Sequence, residues 1–169
     1  MNYWLMKSEP DEVSIDDLAA APDRTVPWFG VRNYQARNFM RDAMQIGDLA
    51  FFYHSGCAEP GIAGICEVCS EPYPDATQFE PKSTTPAGRR DNPYFDPKAT
   101  PDNPRWLLRD VCFVSKTSFL SLGELRRHPE LAGMRLLARG NRLSIMPVAA
   151  DEWSFIVGHL LGDDPLKGS

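Results

Sequence analysis

The chain has 169 residues, 43% of them apolar and 24% charged, long enough for one domain to bury a core without disulfide or metal staples. Its net charge of −5 weighs against a protein that grips long duplexes by charge alone, although a local basic patch fits on an acidic whole. No apolar run approaches the length of a membrane span, and the basic and apolar stretch of a signal peptide is missing, so a cytoplasmic protein is expected.

Met1 to Lys7 reads as a first strand. Ser14-Ile15-Asp16-Asp17 has the form of a capping box, a hydroxyl at the cap and a carboxylate three residues on, and predicts a short helix ended by Ala21-Pro22. A second helix is expected over 31–43, after Trp28-Phe29-Gly30, with Gly47-Asp48 resetting the chain into a strand. Leu49 to His54 is too short for a globular helix and predicts a buried strand, with 62–70 as its hairpin partner. Gly61 and Gly64 in that hairpin suggest a bulge or a close backbone approach.

Residues 71–104 differ in kind, since eight of the fifteen prolines fall there. A long, irregular but ordered excursion is expected, fastened to the body by Tyr73, Phe79, Tyr94 and Phe95. Arg105 to Lys116 predicts a further strand. Ser121-Leu122-Gly123-Glu124 is another capping box, and Pro129 and Gly133 bracket a second short helix. A last helix runs from about Ala150 to Leu161, where Trp153, Ile156, Val157, Leu160 and Leu161 mark one buried face and Gly162 the stop. The organisation is thus a single domain over 1–162 and a loose tail over 163–169. Short strands with helices around them suggest a small, strongly curved sheet or barrel, with a doubly wound α/β fold as the competitor.

Catalytic patterns come out poorly. Of the three histidines, only His54, at the end of an aromatic strand, is well placed for a site. A Ser55/His54 or Cys57/His54 pair joins near neighbours in sequence, which rarely present the required geometry. The chain has no HExxH, no Walker motif and no dinucleotide fingerprint. Cys66 and Cys69 form a CxxC within a strand, where they point to opposite faces and read as structural. No metal or soluble cofactor is implied.

A binding surface is the better reading. Thirteen of the eighteen basic residues are arginine, suited to phosphates and base edges, with Arg32, Arg37 and Arg41 in one segment and Arg135, Arg139 and Arg142 in another. Trp28 to Arg37 joins an aromatic loop to a helix start whose free N–H groups favour an anion or a base edge. Trp28 offers a stacking platform, Asn33 a donor and acceptor pair, and Arg32 and Arg37 phosphate contacts. The plain alternatives are a core plug for Trp28 and an exposed solubiliser for Arg32.

Several motifs occur together and in order: Lys7-Ser8-Glu9-Pro10, Trp28-x-Gly30-Val31-Arg32-Asn33-Tyr34-x-Ala36-Arg37, Gly47-Asp48 and Phe52-Tyr53-His54-Ser55. Pro60-Gly61-Ile62-x-Gly64, Pro104-Arg105-Trp106 and Arg142-Leu143-Ser144-x-x-Pro147-Val148 complete the set. From residue 2 to about 162 the chain resembles an EVE domain, a family with many bacterial members. The resemblance implies an α+β, PUA-like fold: a curved, mostly antiparallel β-barrel with peripheral helices.

It also implies a non-enzymatic nucleic-acid-binding domain that holds one flipped-out base, in DNA a methyl- or hydroxymethyl-cytosine. On this chain the implied base pocket is Lys7, Ser8, Trp28, Gly30, Val31, Asn33, Tyr53, His54, Ser55, Leu143 and Ser144. Arg32, Arg37 and Arg142 are the implied phosphate contacts, with His54 behind the pocket rather than on the base. Tyr94 and Trp106 are the candidates to complete an aromatic cage. The partner is therefore nucleic acid and not membrane, and the chain is expected to be a monomer with possible protein partners. The rival readings are an RNA-binding accessory protein that needs no modification, an enzyme acting through His54 or Cys57, and a protein-interaction module.

Overall fold

The computed structural model describes residues 1–81 and 92–161. Gly88, Arg89, Arg90 and Asp91 of the proline-rich excursion, Gly162 and the tail expected over 163–169 lie outside them. In chain order the elements begin with β1 (Tyr3–Ser8), α1 (Ile15–Ala20), β2 (Thr25–Pro27), α2 (Tyr34–Asn38), β3 (Leu49–His54) and β4 (Gly61–Val68). They continue with β5 (Tyr73–Pro74), β6 (Leu107–Leu108), β7 (Asp110–Ser121), α3 (Leu122–Leu125), β8 (Ile145–Val148) and α4 (Ala150–Phe155). Six strands form one sheet in the order β2-β7-β4-β3-β1-β8, and β5 pairs with β6 apart from it. Every pairing in the large sheet is antiparallel except β1 with β3.

That sheet is covered on both faces, which is why its central strands read as nearly unbroken apolar runs. Alternation sorts them into two cores. Trp4, Met6, Ala50, Phe52 and Cys66 face one side with Ile15, Leu18 and Trp28. Leu5, Phe51, Tyr53, Ile62 and Ile65 face the other with Trp153 and Ile156 from the last helical segment. Phe51 stacks on Trp153 with ring centroids 4.0 Å apart.

Gly64 is required by a close approach. A Cβ there would lie 2.4 Å from Ile15 Cδ1 and 2.7 Å from the Ser115 carbonyl oxygen. The ladder register also shifts beside it, between Ile62 and Gly64. The bulge and close approach expected from the glycines are both present.

Local chemistry explains the boundaries. Ser14 Oγ accepts from the Asp17 N–H at 3.1 Å and Asp17 Oδ2 from the Ser14 N–H at 2.9 Å, closing the capping box of α1. The helix expected over 31–43 starts only at Tyr34, because Asn33 Oδ1 accepts from the Ala36 N–H and Asn33 is the cap itself. It continues as a π-helical turn over Phe39–Ala43. The expected strand over 105–116 divides into β6 and β7 and runs on to Ser121. Arg109 stands at the break, buried, donating to the carbonyls of Met40 and Met44 at 2.6 Å and of Ser70 at 3.0 Å. Among the described residues no helix is long and apolar enough to cross a membrane.

Candidate nucleic-acid interface

The parallel register of β1 and β3 ends with Ser8 opposite His54. There the Ser55 N–H donates to the Ser8 carbonyl at 2.9 Å, and the Lys7 N–H to the Ser144 carbonyl at 2.8 Å. Side chains from three separated segments, Lys7, Ser8, Ser55 and Ser144, therefore meet at one end of the sheet. They form one wall of a cavity of about 400 Å³, within the size range of small-molecule sites.

The facing wall is aromatic. Trp28 and Phe29 follow β2, and Trp28 is 94% buried, its ring edge-on to Phe52 at 5.4 Å. Tyr94 closes the side from the proline-rich excursion, its ring edge-on to Phe29 at 5.6 Å. Gly30 permits this approach. Its φ of +86° is a left-handed conformation, and a Cβ would lie 2.8 Å from Tyr94 Cε1.

Tyr94 is held by a polar network built on the partly buried Arg32 and the buried Asp75. The Arg32 guanidinium spends all five of its N–H donors inside the protein. Nε and Nη2 donate to the Tyr94 carbonyl at 3.0 and 2.8 Å, and Nη2 also to Thr77 Oγ1 at 3.0 Å. Nη1 donates to the Val31 carbonyl at 2.9 Å and to Asp75 Oδ2 at 3.1 Å. Asp75 Oδ2 accepts from the Gly30 N–H as well, at 2.8 Å. Gln78, fully buried, donates to the Asp75 and Trp106 carbonyls and accepts from the Arg105 and Trp106 N–H groups. The excursion is thus latched to the α2 approach through Arg32 and Asp75.

The polar groups in the cavity are of both kinds. Lys7 supplies N–H donors, and burial lowers the pKa of its amine. Glu9 and Glu12 supply carboxylates. The Tyr94 hydroxyl donates to Glu12 Oε1, and its pKa is raised by burial and then by that carboxylate. The Ser8 hydroxyl donates to the Val13 carbonyl at 2.7 Å, which leaves its lone pairs available. Aromatic faces, donors and acceptors together suit a flat, polar-edged ring.

The match to known proteins extends over most of the chain. Residues 2–159 fit the EVE domain. The chain belongs to the EVE domain family. Human thymocyte nuclear protein 1 is 44% identical to it, over 92% of this chain and 72% of its own length. A Pseudomonas putida protein of known structure is 47% identical with a TM-score of 0.82, covering 92% of this chain and 97% of that one. The crystal structure of the human THYN1 protein in complex with 5-methylcytosine containing DNA gives a TM-score of 0.83 at 43% identity, covering 96% and 99%. This EVE domain accordingly has the α+β, PUA-like fold of its family.

Of the residues expected in the pocket, the structure brings together Lys7, Ser8, Trp28, Gly30, Val31, Ser55 and Ser144, with Arg142 exposed beside them. Others lie elsewhere. Tyr53 points into the opposite core, because strand alternation puts it on the face away from Phe52. Leu143 packs against that same core. Asn33 is exposed and caps α2, so its oxygen is already engaged. His54 stands behind the cavity, edge-on to Phe52, and its Nε2 accepts from the Ile15 N–H at 3.2 Å. Burial lowers its pKa.

Two of the three expected phosphate contacts are engaged within the protein. Arg32 is the latch just described. Arg37 donates to Asn38 Oδ1 and to the Arg105 carbonyl, and it stacks over Tyr34 at 4.7 Å.

Of the two cage candidates, Tyr94 lines the cavity and Trp106 does not. Trp106 stacks on Tyr34 at 4.8 Å and donates to Asp96, outside the cavity. Glu9, Glu12, Val13, Val26, Pro27 and Phe29 also line the cavity and were not anticipated. Glu9 and Phe29 lie inside the quoted motifs and were within reach. The pairing of Glu12 with Tyr94, 82 residues apart, left no sequence signal.

Among the described residues no group of three or more His, Cys, Asp or Glu is arranged to hold a metal ion. Cys66 is fully buried, and burial raises both thiols of the CxxC, Cys69 to about 12.

Proposed function

We propose that this EVE domain reads DNA by holding one turned-out 5-methylcytosine base between Trp28 and Tyr94, without transforming it. The carrying observation is a cavity with aromatic walls and a mixed polar lining, in a chain whose neighbour at a TM-score of 0.83 is a protein bound to 5-methylcytosine containing DNA.

The chemistry matches. A cytosine edge offers one amino donor and two acceptors. Glu9 or Glu12 takes the amino hydrogen, and Lys7 and the Ser55 and Ser144 hydroxyls serve the acceptors, the Ser8 hydroxyl hydrogen being already given to Val13. Aromatic contact contributes about 1–3 kcal/mol per base, against an extrusion cost of a few kcal/mol. Trp28 and Phe29 offer a 5-methyl group an apolar surface on which no hydrogen bond is forfeited. A base-catalysed step through His54 is disfavoured because its Nε2 lone pair is engaged by the Ile15 N–H.

The test is a fluorescence-anisotropy titration of matched duplexes bearing plain, methylated or hydroxymethylated cytosine, with single-stranded RNA of the same sequence. The methylated duplex should bind more tightly than the plain one, and Tyr94→Leu should shrink that preference roughly tenfold in a folded protein. Tyr94 is a cleaner probe than Trp28, which also props Phe52. Equal binding to methylated and plain duplexes, with RNA ahead of both, would overturn the proposal.

A further inference from the structure

The arginines of the described chain divide into two populations, apart from Arg24, which is exposed and lies over the Phe113 ring. Arg32, Arg37, Arg41, Arg105 and Arg109 all spend their guanidinium groups on partners within the protein. The segment 126–142, between α3 and β8, carries five arginines against a single carboxylate, Glu130, in a chain of net charge −5. Arg127 is paired with Glu124, and Arg135 lies over the Phe39 ring. Arg126, Arg139 and Arg142 are exposed and, among the described residues, have neither a salt bridge nor a side-chain hydrogen bond.

Their placement is continuous with the base cavity. Arg142 lines that cavity, and the adjoining Leu143 lines a shallow depression shared with Arg135 and Arg139. Arg139 in turn borders a second depression with Arg126 and His128. A string of hollows edged by unpaired guanidinium groups therefore leads from the cavity mouth across one face of an otherwise acidic protein. Charge repulsion makes such a cluster unfavourable in isolation, and a polyanion relieves it.

We infer that segment 126–142 is the track for the phosphodiester backbone of the strand whose base enters the cavity, with Arg142, Arg139 and Arg126 each neutralising a phosphate. The inference rests on the base-reading proposal for the direction of the strand, but its signature is separate. Backbone contacts carry no base information and release counterions, so they set the salt dependence of binding rather than the methyl preference.

The experiment measures the affinity of the full chain for methylated and plain DNA duplexes across a salt series. Arg126→Gln with Arg139→Gln should weaken both duplexes equally, roughly tenfold, and make the slope of log affinity against log salt shallower by about two. The methylated-to-plain ratio should stay unchanged. The corresponding double lysine variant should keep the slope.

As a control, Arg41→Gln with Lys116→Gln removes two exposed cations already paired with Asp42 and Asp16, and it should leave the slope intact. An unchanged slope in the 126/139 double glutamine variant would overturn the track, as would an equal drop in the control. A wild-type methylated-to-plain ratio of one would overturn the base-reading proposal instead, while the two slopes still decide the track.

Discussion

The cavity has two halves built by opposite means. The sheet half, ending in Lys7, Ser8, Ser55 and Ser144, is fixed by strand pairing over two apolar cores. The loop half, ending in Tyr94, is fixed by polar groups, the buried Asp75 and Gln78 with the partly buried Arg32. A hydrophobic core is non-directional and tolerates adjustment, whereas a buried polar latch works only when each partner is present. The base contacts of the two halves should therefore respond differently to damage.

The largest contrast comes from two substitutions of similar cost. Phe51→Ala removes a fully buried ring from the core remote from the cavity, and Arg32→Ala leaves the buried Asp75 carboxylate without its cation. Each should cost about 3–5 kcal/mol, read as a fall in Tm of roughly 10 °C. Below its lowered Tm the Phe51 variant should keep the methyl preference. The Arg32 variant should lose it, because the Tyr94 carbonyl has lost two donors. Loss of preference in both variants would erase the distinction between the halves.

A smaller effect is expected where the halves touch. Gly30→Ala introduces a Cβ into the Tyr94 ring at a positive φ. It should lower stability by about 1–2 kcal/mol and weaken binding by displacing Tyr94, measured by thermal melting and titration of the same sample.

The smallest effect belongs to pH. Burial depresses the His54 pKa below its ordinary value of about 6.5. The unfolded imidazole then takes up a proton before the folded one. This group's contribution to stability is full above pH 6.5 and is lost as pH falls through the folded pKa. Between pH 7 and 5 the Tm of the wild type should fall more steeply than that of His54→Gln. Parallel curves would show that the imidazole does not titrate on unfolding.

The same division governs what the sequence made legible. Apolar alternation and capping boxes located β1, β3, β4, α1 and the last helix, because those signals are local and repeat at a known period. Motif order located most of the sheet half of the cavity. Tyr53 was misplaced although counting from Phe52 along the strand puts it on the other face.

The roles of Arg32, Asp75 and Gln78 were not legible. A buried polar group is recognised by its partners, and these come from as far as 62 residues away. Arg32 and Arg142 look alike in sequence, yet one is consumed by five hydrogen bonds to four internal acceptors and the other stands exposed at the cavity. The short strands β2 and β8 went unseen, being set by their pairing with β7 and β1 rather than by their own composition.

The most direct test of the central claim reads the base itself. A duplex carrying 2-aminopurine beside a single 5-methylcytosine brightens when its neighbour leaves the stack. Wild-type protein should raise that fluorescence for the methylated duplex well above the plain one, and Tyr94→Leu should abolish the difference. Tight binding with no rise in fluorescence for either duplex would contradict a turned-out base between Trp28 and Tyr94.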